Sequence, residues 1–114
     1  MRMKEAIKRA DALRPNMIPE ETKAAWLYEL EGKLAEMRCA PPPARTWPAD
    51  AALAMPPPCD NVYELYLCAM ICFANQETAQ YANDMVMFNA AMQEARAWWR
   101  RHHRPKSSGN WRVM

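Results

Sequence analysis

The sequence predicts an all-α protein, a small bundle of four helices, on three observations. Residues of hydrophobic type make up 51% of the 114 residues, and only two residues are glycine, which favours helices over a turn-rich β fold. Apolar residues recur at steps of three and four in four separate segments. The ten prolines gather mainly between the second and third of these segments, where they predict a connection. We expect a helical domain, residues 1–103, with a proline-rich loop at 39–59 and an extended C-terminal arm at 104–114.

The first two helices have clear starts and stops. The first is predicted from Met3 to Leu13, and Pro15 ends it because a residue before proline avoids the helical region. The second begins near Pro19 and carries two glutamates in its first turn, where the helix dipole favours negative charge. The apolar stripe of this second helix consists of Trp26, Leu27, Leu30, Leu34 and Met37.

The third helix is apolar on every side. Asp60 is its predicted N-cap, and Asn75 is expected to end it in a left-handed conformation. One face consists of Val62, Leu65, Tyr66, Ala69, Met70 and Phe73. The opposite side consists of Leu67, Cys68, Ile71 and Cys72. A helix that is apolar all round is buried all round, so we expect this one at the centre of a bundle or assembly.

The segment from Asn75 to His103 predicts one long amphipathic helix around which the chain is organised. Its stripe consists of Tyr81, Met85, Phe88, Met92, Ala95 and Trp99. We expect this helix to be central, with the others wrapped around it, or to be shared with neighbouring subunits. The short turn after Asn75 predicts that helices three and four are antiparallel neighbours, with Phe73 and Phe88 on their facing, buried stripes.

The proline-rich loop is long for a compact domain, and such connections are often functional or disordered. Residues 49–55 within it predict a short helical turn. Cys39 and Cys59 could close the loop as a disulfide, although a reducing cytosol disfavours this. Cys68 and Cys72 lie one turn apart in the most apolar helix, which favours core packing over metal binding. We find no catalytic constellation or phosphate loop in the sequence, and therefore expect neither an enzyme nor a cofactor.

Every formally charged side chain after Glu94 is basic, and this end also holds Trp98 and Trp99. Aromatic and basic residues are mixed in this way in proteins that bind single-stranded nucleic acid. The alternative is that Trp99 packs inward while the arginines complement the helix dipole. The chain shows no signal peptide, and its longest apolar run is too short for a bilayer. We expect a protein made in the cytosol with no membrane partner.

The order and spacing of residues across both helical halves also resemble a known family. The residues of the first half are Ala6, Ile7, Asp11, Leu13, Pro15, Asn16, Lys23, Trp26, Leu27, Leu30, Glu31 and Gly32. Those of the second half are Tyr63, Tyr66, Leu67, Met70, Ala74, Asn75, Glu77, Tyr81, Asn83, Phe88, Asn89 and Arg100. The chain resembles the small head–tail connector, or adaptor, proteins of long-tailed bacteriophages and prophages. It departs from them in the proline-rich loop, where such relatives often have polar, acidic connections.

The resemblance implies a structural protein of the virion neck, made in the host bacterial cytoplasm. The protomers would form a ring, twelvefold in this family, that lies below the portal and extends the channel for double-stranded DNA toward a stopper or tail-completion protein. Residues for helix packing or the subunit interface would be Trp26, Leu30, Tyr66, Met70, Phe73, Tyr81, Met85, Phe88, Met92 and Trp99.

The C-terminal arm ends in tryptophan and basic residues of the kind found at interface hot spots. We expect it to dock onto the portal through Arg104, Trp111, Arg112, Val113 and Met114. Two alternatives stay open: a small helical protein that binds nucleic acid or regulates, and another neck component such as a stopper or tail-completion protein.

Overall fold

The computed structural model describes residues 1–43 and 50–103. They form four helices: α1 (Met3–Leu13), α2 (Glu20–Met37), α3 (Asn61–Ala74) and α4 (Thr78–His102). Across these two ranges the only β pairing is an isolated bridge between Arg2 and Ala52. The all-α prediction is therefore confirmed. None of the helices in the described ranges is both long and apolar enough to cross a membrane.

The helix at the centre of the bundle is α3, which packs against α1, α2 and α4. Eight of its 14 residues are buried, including Tyr63, Leu67 and Ile71. By contrast, α4 packs mainly on α3. The expectation that α4 is the central helix is therefore wrong. The reason is that α4 has one apolar stripe and needs one neighbour, whereas α3 is apolar on every side and needs several.

A polar network fixes the corner between α1 and α2. The ammonium of Lys23, only 4% exposed, lies 2.8 and 3.0 Å from the two carboxylate oxygens of Asp11. It also donates to the side-chain oxygen of Asn16, which in turn accepts from the Ile18 amide. Each buried polar group here has a partner, as burial without a large penalty requires.

Residues 51–55 of the proline-rich loop are extended, so the predicted helical turn is wrong; Ala49 itself lies outside the described residues. The Met3 amide donates to the Ala51 carbonyl, and the Leu53 amide donates to the Met1 carbonyl, both at 2.9 Å. Ala51, Leu53 and Met55 are buried while the residues between them are exposed. This alternation is that of a strand with one buried face, and it overrides the helical propensity of a short alanine-rich run.

Glu31 and Tyr63 attach this loop to the core. The Tyr63 hydroxyl donates to Glu31 Oε1 at 2.5 Å and accepts from the Met55 amide at 2.9 Å. Glu31 Oε2 accepts from the Ala54 amide at 3.0 Å. Burial and the neighbouring Glu31 carboxylate raise the pKa of Tyr63 above its usual range. The phenol therefore stays protonated and can act as a donor at any ordinary pH.

Two helices end in left-handed residues that are not glycine. Cys39 follows α2 with a φ of 55°, and Gln76 follows α3 with a φ of 60°. The bonding after α3 is that of a Schellman motif, since the Glu77 amide donates to the Cys72 carbonyl and the Gln76 amide to that of Phe73. Asn75 was the expected left-handed residue, but its φ is −86°. The cap thus lies one residue later than predicted.

Candidate functional site

The outward side of α4 carries almost no charge over its first two thirds. From Thr78 to Gln93 the only charged residue is Asp84, and it is 6% exposed. The exposed residues here are Thr78, Ala79, Ala82, Asn83, Val86, Met87, Asn89, Ala90 and Gln93. Val86 and Met87 are 67% and 58% exposed. We call this surface the neutral face of α4. A helix face in permanent contact with water usually carries charged residues, so this one has the composition of a contact surface.

Asp84 lies on the inner side of α4 and ties it to the end of α1. Its carboxylate accepts two hydrogen bonds from the Arg14 guanidinium, at 2.8 and 3.0 Å, and one each from Gln80 and the Cys72 thiol. Burial raises the pKa of Asp84, but these hydrogen bonds outweigh it and hold the pKa below its usual range. Asp84 is therefore an ionised structural anchor, and it leaves the outward side of α4 neutral.

The two phenylalanines have different surroundings. Phe88 is 8% exposed and its ring centroid lies 5.1 Å from that of Tyr66, which confirms its place in the core. Phe73 is 61% exposed, so the prediction that it is buried is wrong. It stands in the last turn of α3, where the Tyr81 ring lies 5.3 Å away, and it lines an open pocket of about 760 Å³ at the α3–α4 turn.

Apart from Tyr81, whose ring contacts the exposed Phe73, the remaining predicted packing residues contact the core. Leu30 is fully buried, as predicted for the stripe of α2. Four others are partly buried and packed against the core: Trp26, Met70, Met85 and Met92. Trp99 also packs inward, as the alternative reading of the aromatic and basic end predicts.

A groove runs between the last turns of α2 and the C-terminal half of α4. Its volume is about 520 Å³, and apolar atoms of Met37, Met92 and Trp99 line it. The charged residues around it are Lys33, Glu36, Arg96 and Arg100. Within the described ranges none of the three cations has an ion-pair partner within 4.0 Å. We call this feature the α2–α4 groove; it offers an apolar floor inside a rim of net positive charge.

The indole rings at the end of α4 already have ring partners. His102 stacks on Trp98 with centroids 4.2 Å apart, and His103 stacks on Trp99 at 3.5 Å. The Arg38 guanidinium lies 5.7 Å from the Trp99 centroid. These contacts occupy faces that a stacked base would need, which weakens the analogy with single-strand binders.

Three of the four cysteines have the surroundings of packing residues. All four are free thiols, Cys39 exposed and the other three buried. Burial raises the pKa of Cys68 to about 11 and that of Cys59 and Cys72 above the usual value. A thiol held in its protonated form is a poor nucleophile and metal ligand. Over the described part of the chain, no three His, Cys, Asp or Glu side chains are grouped to hold a metal.

Sequence reasoning missed an exposed surface at the α1–α2 corner. Met17 is 98% exposed and Leu13 is 54% exposed. Glu20 and Glu21, also exposed, follow directly and have no ion-pair partner within the described ranges. We call these four residues the acidic corner. The signal was present in the sequence: Met17 lies between two prolines, outside any helical stripe.

The predicted docking arm, Arg104 and Trp111 to Met114, lies outside the described residues, as do residues 44–49 of the proline-rich loop. Its role stays a prediction. No protein-family model, no curated protein and no solved structure matches this chain.

Proposed function

We propose that this chain is a structural assembly protein, a head–tail connector of a phage or prophage virion, and not an enzyme. The neutral face of α4 carries this proposal. It is some 16 residues long, about 24 Å of helix, and it exposes Val86 and Met87 in place of charges. A surface of this composition gains free energy when a partner protein removes it from water.

The residues behind the resemblance support the same conclusion in a second way. Several of them pair in space: Asp11, Asn16 and Lys23 form the network at the α1–α2 corner, and Glu31 bonds to Tyr63. Such buried polar pairs fix how helices meet, so they are residues that a shared protomer shape would require. Several residues that carry the resemblance are therefore hydrogen-bonded to one another in the folded protomer.

In this proposal the protomers form a ring, twelvefold as in the family it resembles, between the portal and a stopper or tail-completion protein. Double-stranded DNA passes through without being read. Contacts to its phosphates are weak, with affinity no tighter than about 10⁻⁵ M near physiological salt, since tight binding would stall the DNA. The arm at 104–114 docks onto the portal, and removing residues 109–114 abolishes co-purification with portal while leaving protomer melting unchanged.

Mass photometry and negative-stain imaging, with and without portal, test the proposal. We expect rings with a central channel. Val86→Ser together with Met87→Ser is expected to leave the unfolding free energy within about 0.5 kcal/mol of wild type, because both side chains are exposed. The same pair is expected to weaken association with the neck partner that covers this face. Ala25→Ser, on an exposed position of α2, is the matched control and is expected to change neither quantity.

A second candidate is a small helical nucleic-acid-binding protein. The observation that favours it is the set of exposed cations on the last turns of α4, namely Arg96, Arg100 and Arg101. This candidate predicts a monomer or dimer that shifts DNA at physiological salt. Binding to a defined sequence at nanomolar affinity would establish it and exclude the connector.

A further inference from the structure

Two exposed surfaces of this protein combine apolar residues with charges of opposite sign. The acidic corner presents apolar Leu13 and Met17 beside Glu20 and Glu21. The α2–α4 groove has a volume of about 520 Å³, and its apolar floor lies inside a rim with three cations and one anion. We propose that the acidic corner of one copy docks into the α2–α4 groove of a second copy. This inference rests on the proposed function and names the surfaces through which the ring would close.

The positions of the two surfaces determine the kind of contact. The acidic corner lies at the N-terminal end of α2 and the groove at its C-terminal end. Along α2, Glu21 of the corner and Lys33 of the groove are 12 residues apart, about 18 Å of helix. A protomer cannot fill its own groove across that distance, because the helix between them is rigid. Joining the corner of one copy to the groove of the next is a heterologous, head-to-tail contact, and such contacts generate rings or open filaments.

Helix dipoles account for some of the charge but not for the apolar residues. Glutamates are favoured in the first turn of α2, and arginines in the last turns of α4. No such effect explains why Met17 is 98% exposed. In the docked arrangement Met17 enters the groove beside Trp99, while Glu20 and Glu21 approach Lys33, Arg96 and Arg100. Thioether–aromatic contacts of this kind are favourable.

The groove also discriminates among occupants by charge. The chain's own segment at 104–114 contains Arg104, Lys106 and Arg112 and no acidic residue, so it would be repelled by the cationic rim. Nucleic acid would satisfy the cations but would leave the apolar floor uncovered. A surface with both acidic and apolar residues can pair with the cations and also cover the apolar floor, and the acidic corner has both kinds of residue.

Charge exchange provides the test. We expect the corner variant Glu20→Lys/Glu21→Lys and the groove variant Lys33→Glu/Arg96→Glu each to lose self-association at least tenfold, measured by sedimentation velocity and mass photometry. Mixing the two variants should restore association, because each inverted surface then meets a complementary one. Combining all four substitutions in one chain should restore it as well. This rescue is specific to a head-to-tail contact between these surfaces.

Controls separate the contact from the fold and from overall charge. Lys4→Glu/Lys8→Glu changes the net charge as much as the groove variant does, at exposed positions of α1, and should leave association at the wild-type level. Met17→Ser should weaken association without altering the melting temperature. A wild-type chain that stays monomeric from about 1 µM to about 1 mM would overturn the proposal.

The outcomes also distinguish this contact from the connector function. Rings that form equally well from either charge-exchanged variant would exclude the contact and leave the connector standing. Association that follows the charge exchange but yields only open filaments, with no ring in the presence of portal, would retain the contact and exclude the connector. Loss of DNA binding, with unchanged association, in the groove variant would show that the groove holds nucleic acid.

Discussion

Helices α3 and α4 are both rich in apolar residues, yet they differ in how many helices cover them. Three neighbours surround α3, and its inward polar group, the Tyr63 hydroxyl, has two hydrogen-bond partners. One main neighbour covers α4, which leaves Val86 and Met87 in water. Apolar content alone therefore does not determine how far a helix is buried. The exposed apolar residues of α4 form the surface at which we propose that a partner protein binds.

Phe88→Ala is the change with the largest expected effect, because it tests the one side of α4 that the protomer does bury. We expect a loss of about 3–5 kcal/mol in unfolding free energy, the range for a buried aromatic. Phe73→Ala is the matched variant at the end of α3, and its expected loss is below about 1.5 kcal/mol, since only an aromatic pair is removed. Urea denaturation of both proteins measures the difference. Equal losses would contradict the exposure of Phe73 described above.

Asp84→Asn tests the ion pair that holds α4 to α1. At neutral pH we expect a loss of about 1.5–3 kcal/mol, the contribution of hydrogen bonds to a charged group. The pKa of folded Asp84 lies below its unfolded value of about 3.9, so the unfolded chain binds more protons between the two values. The stabilisation is therefore complete above pH 4 or so and is lost as the pH falls through the folded pKa.

Urea titrations at a series of pH values from 2 to 7 measure this dependence. Asp84→Asn should flatten it, although Asp50, whose pKa is also lowered, by the Lys4 amide first and then by Arg2, still contributes. Glu94→Gln removes an exposed carboxylate in the interior of α4 that has no ion-pair partner in the described ranges, and it should keep the wild-type curve. A D84N protein with unchanged pH dependence would show that Asp84 is not the anchor of α4.

Tyr63→Phe tests the polar anchor inside α3. The change leaves Glu31 Oε1 and the Met55 amide without their partner, at an expected loss of about 1–3 kcal/mol. Tyr66→Phe is the matched control on the same helix, because no hydrogen bond joins its hydroxyl to another described residue, and its expected change is within about 0.5 kcal/mol. Thermal melts of the two variants should rank in that order. Identical melting temperatures would show that the hydrogen bonds of the Tyr63 hydroxyl do not stabilise the fold.

Gln76→Gly concerns the turn between the two helices and has the smallest expected effect. Glycine adopts the left-handed conformation at little steric cost, so we expect a gain of about 0.5–1 kcal/mol. Asn75→Gly, one residue earlier at a φ of −86°, should destabilise instead. Denaturation midpoints measure both. Opposite signs at adjacent positions would establish that the cap lies at Gln76.

The sequence predicted the helices well because their signals are local. Pro15 and Pro19 bound the α1–α2 corner, and the spacing of apolar residues identified each stripe. The apolar residues on every side of α3 predicted several neighbours for it, as observed. Which helices cover a single stripe is not a local property, so the sequence could not show that α4 packs mainly on α3. Phe73 shares a stripe with Tyr66 and Met70 but stands in the final turn, where its burial depends on what other elements reach. The lack of charged residues on the neutral face of α4 was visible in the sequence, but the apolar periodicity identifies only the buried stripe.

The anchoring of residues 51–55 has a consequence for amide hydrogen exchange. The amides of Leu53, Ala54 and Met55 donate to the Met1 carbonyl, the Glu31 carboxylate and the Tyr63 hydroxyl. Releasing the Ala54 and Met55 amides separates the segment from α2 and α3, so we expect these two amides to exchange through large openings of the bundle. A segment with the composition of a loop would then rank among the slowest-exchanging parts of the protein, alongside α3, and would report on global unfolding.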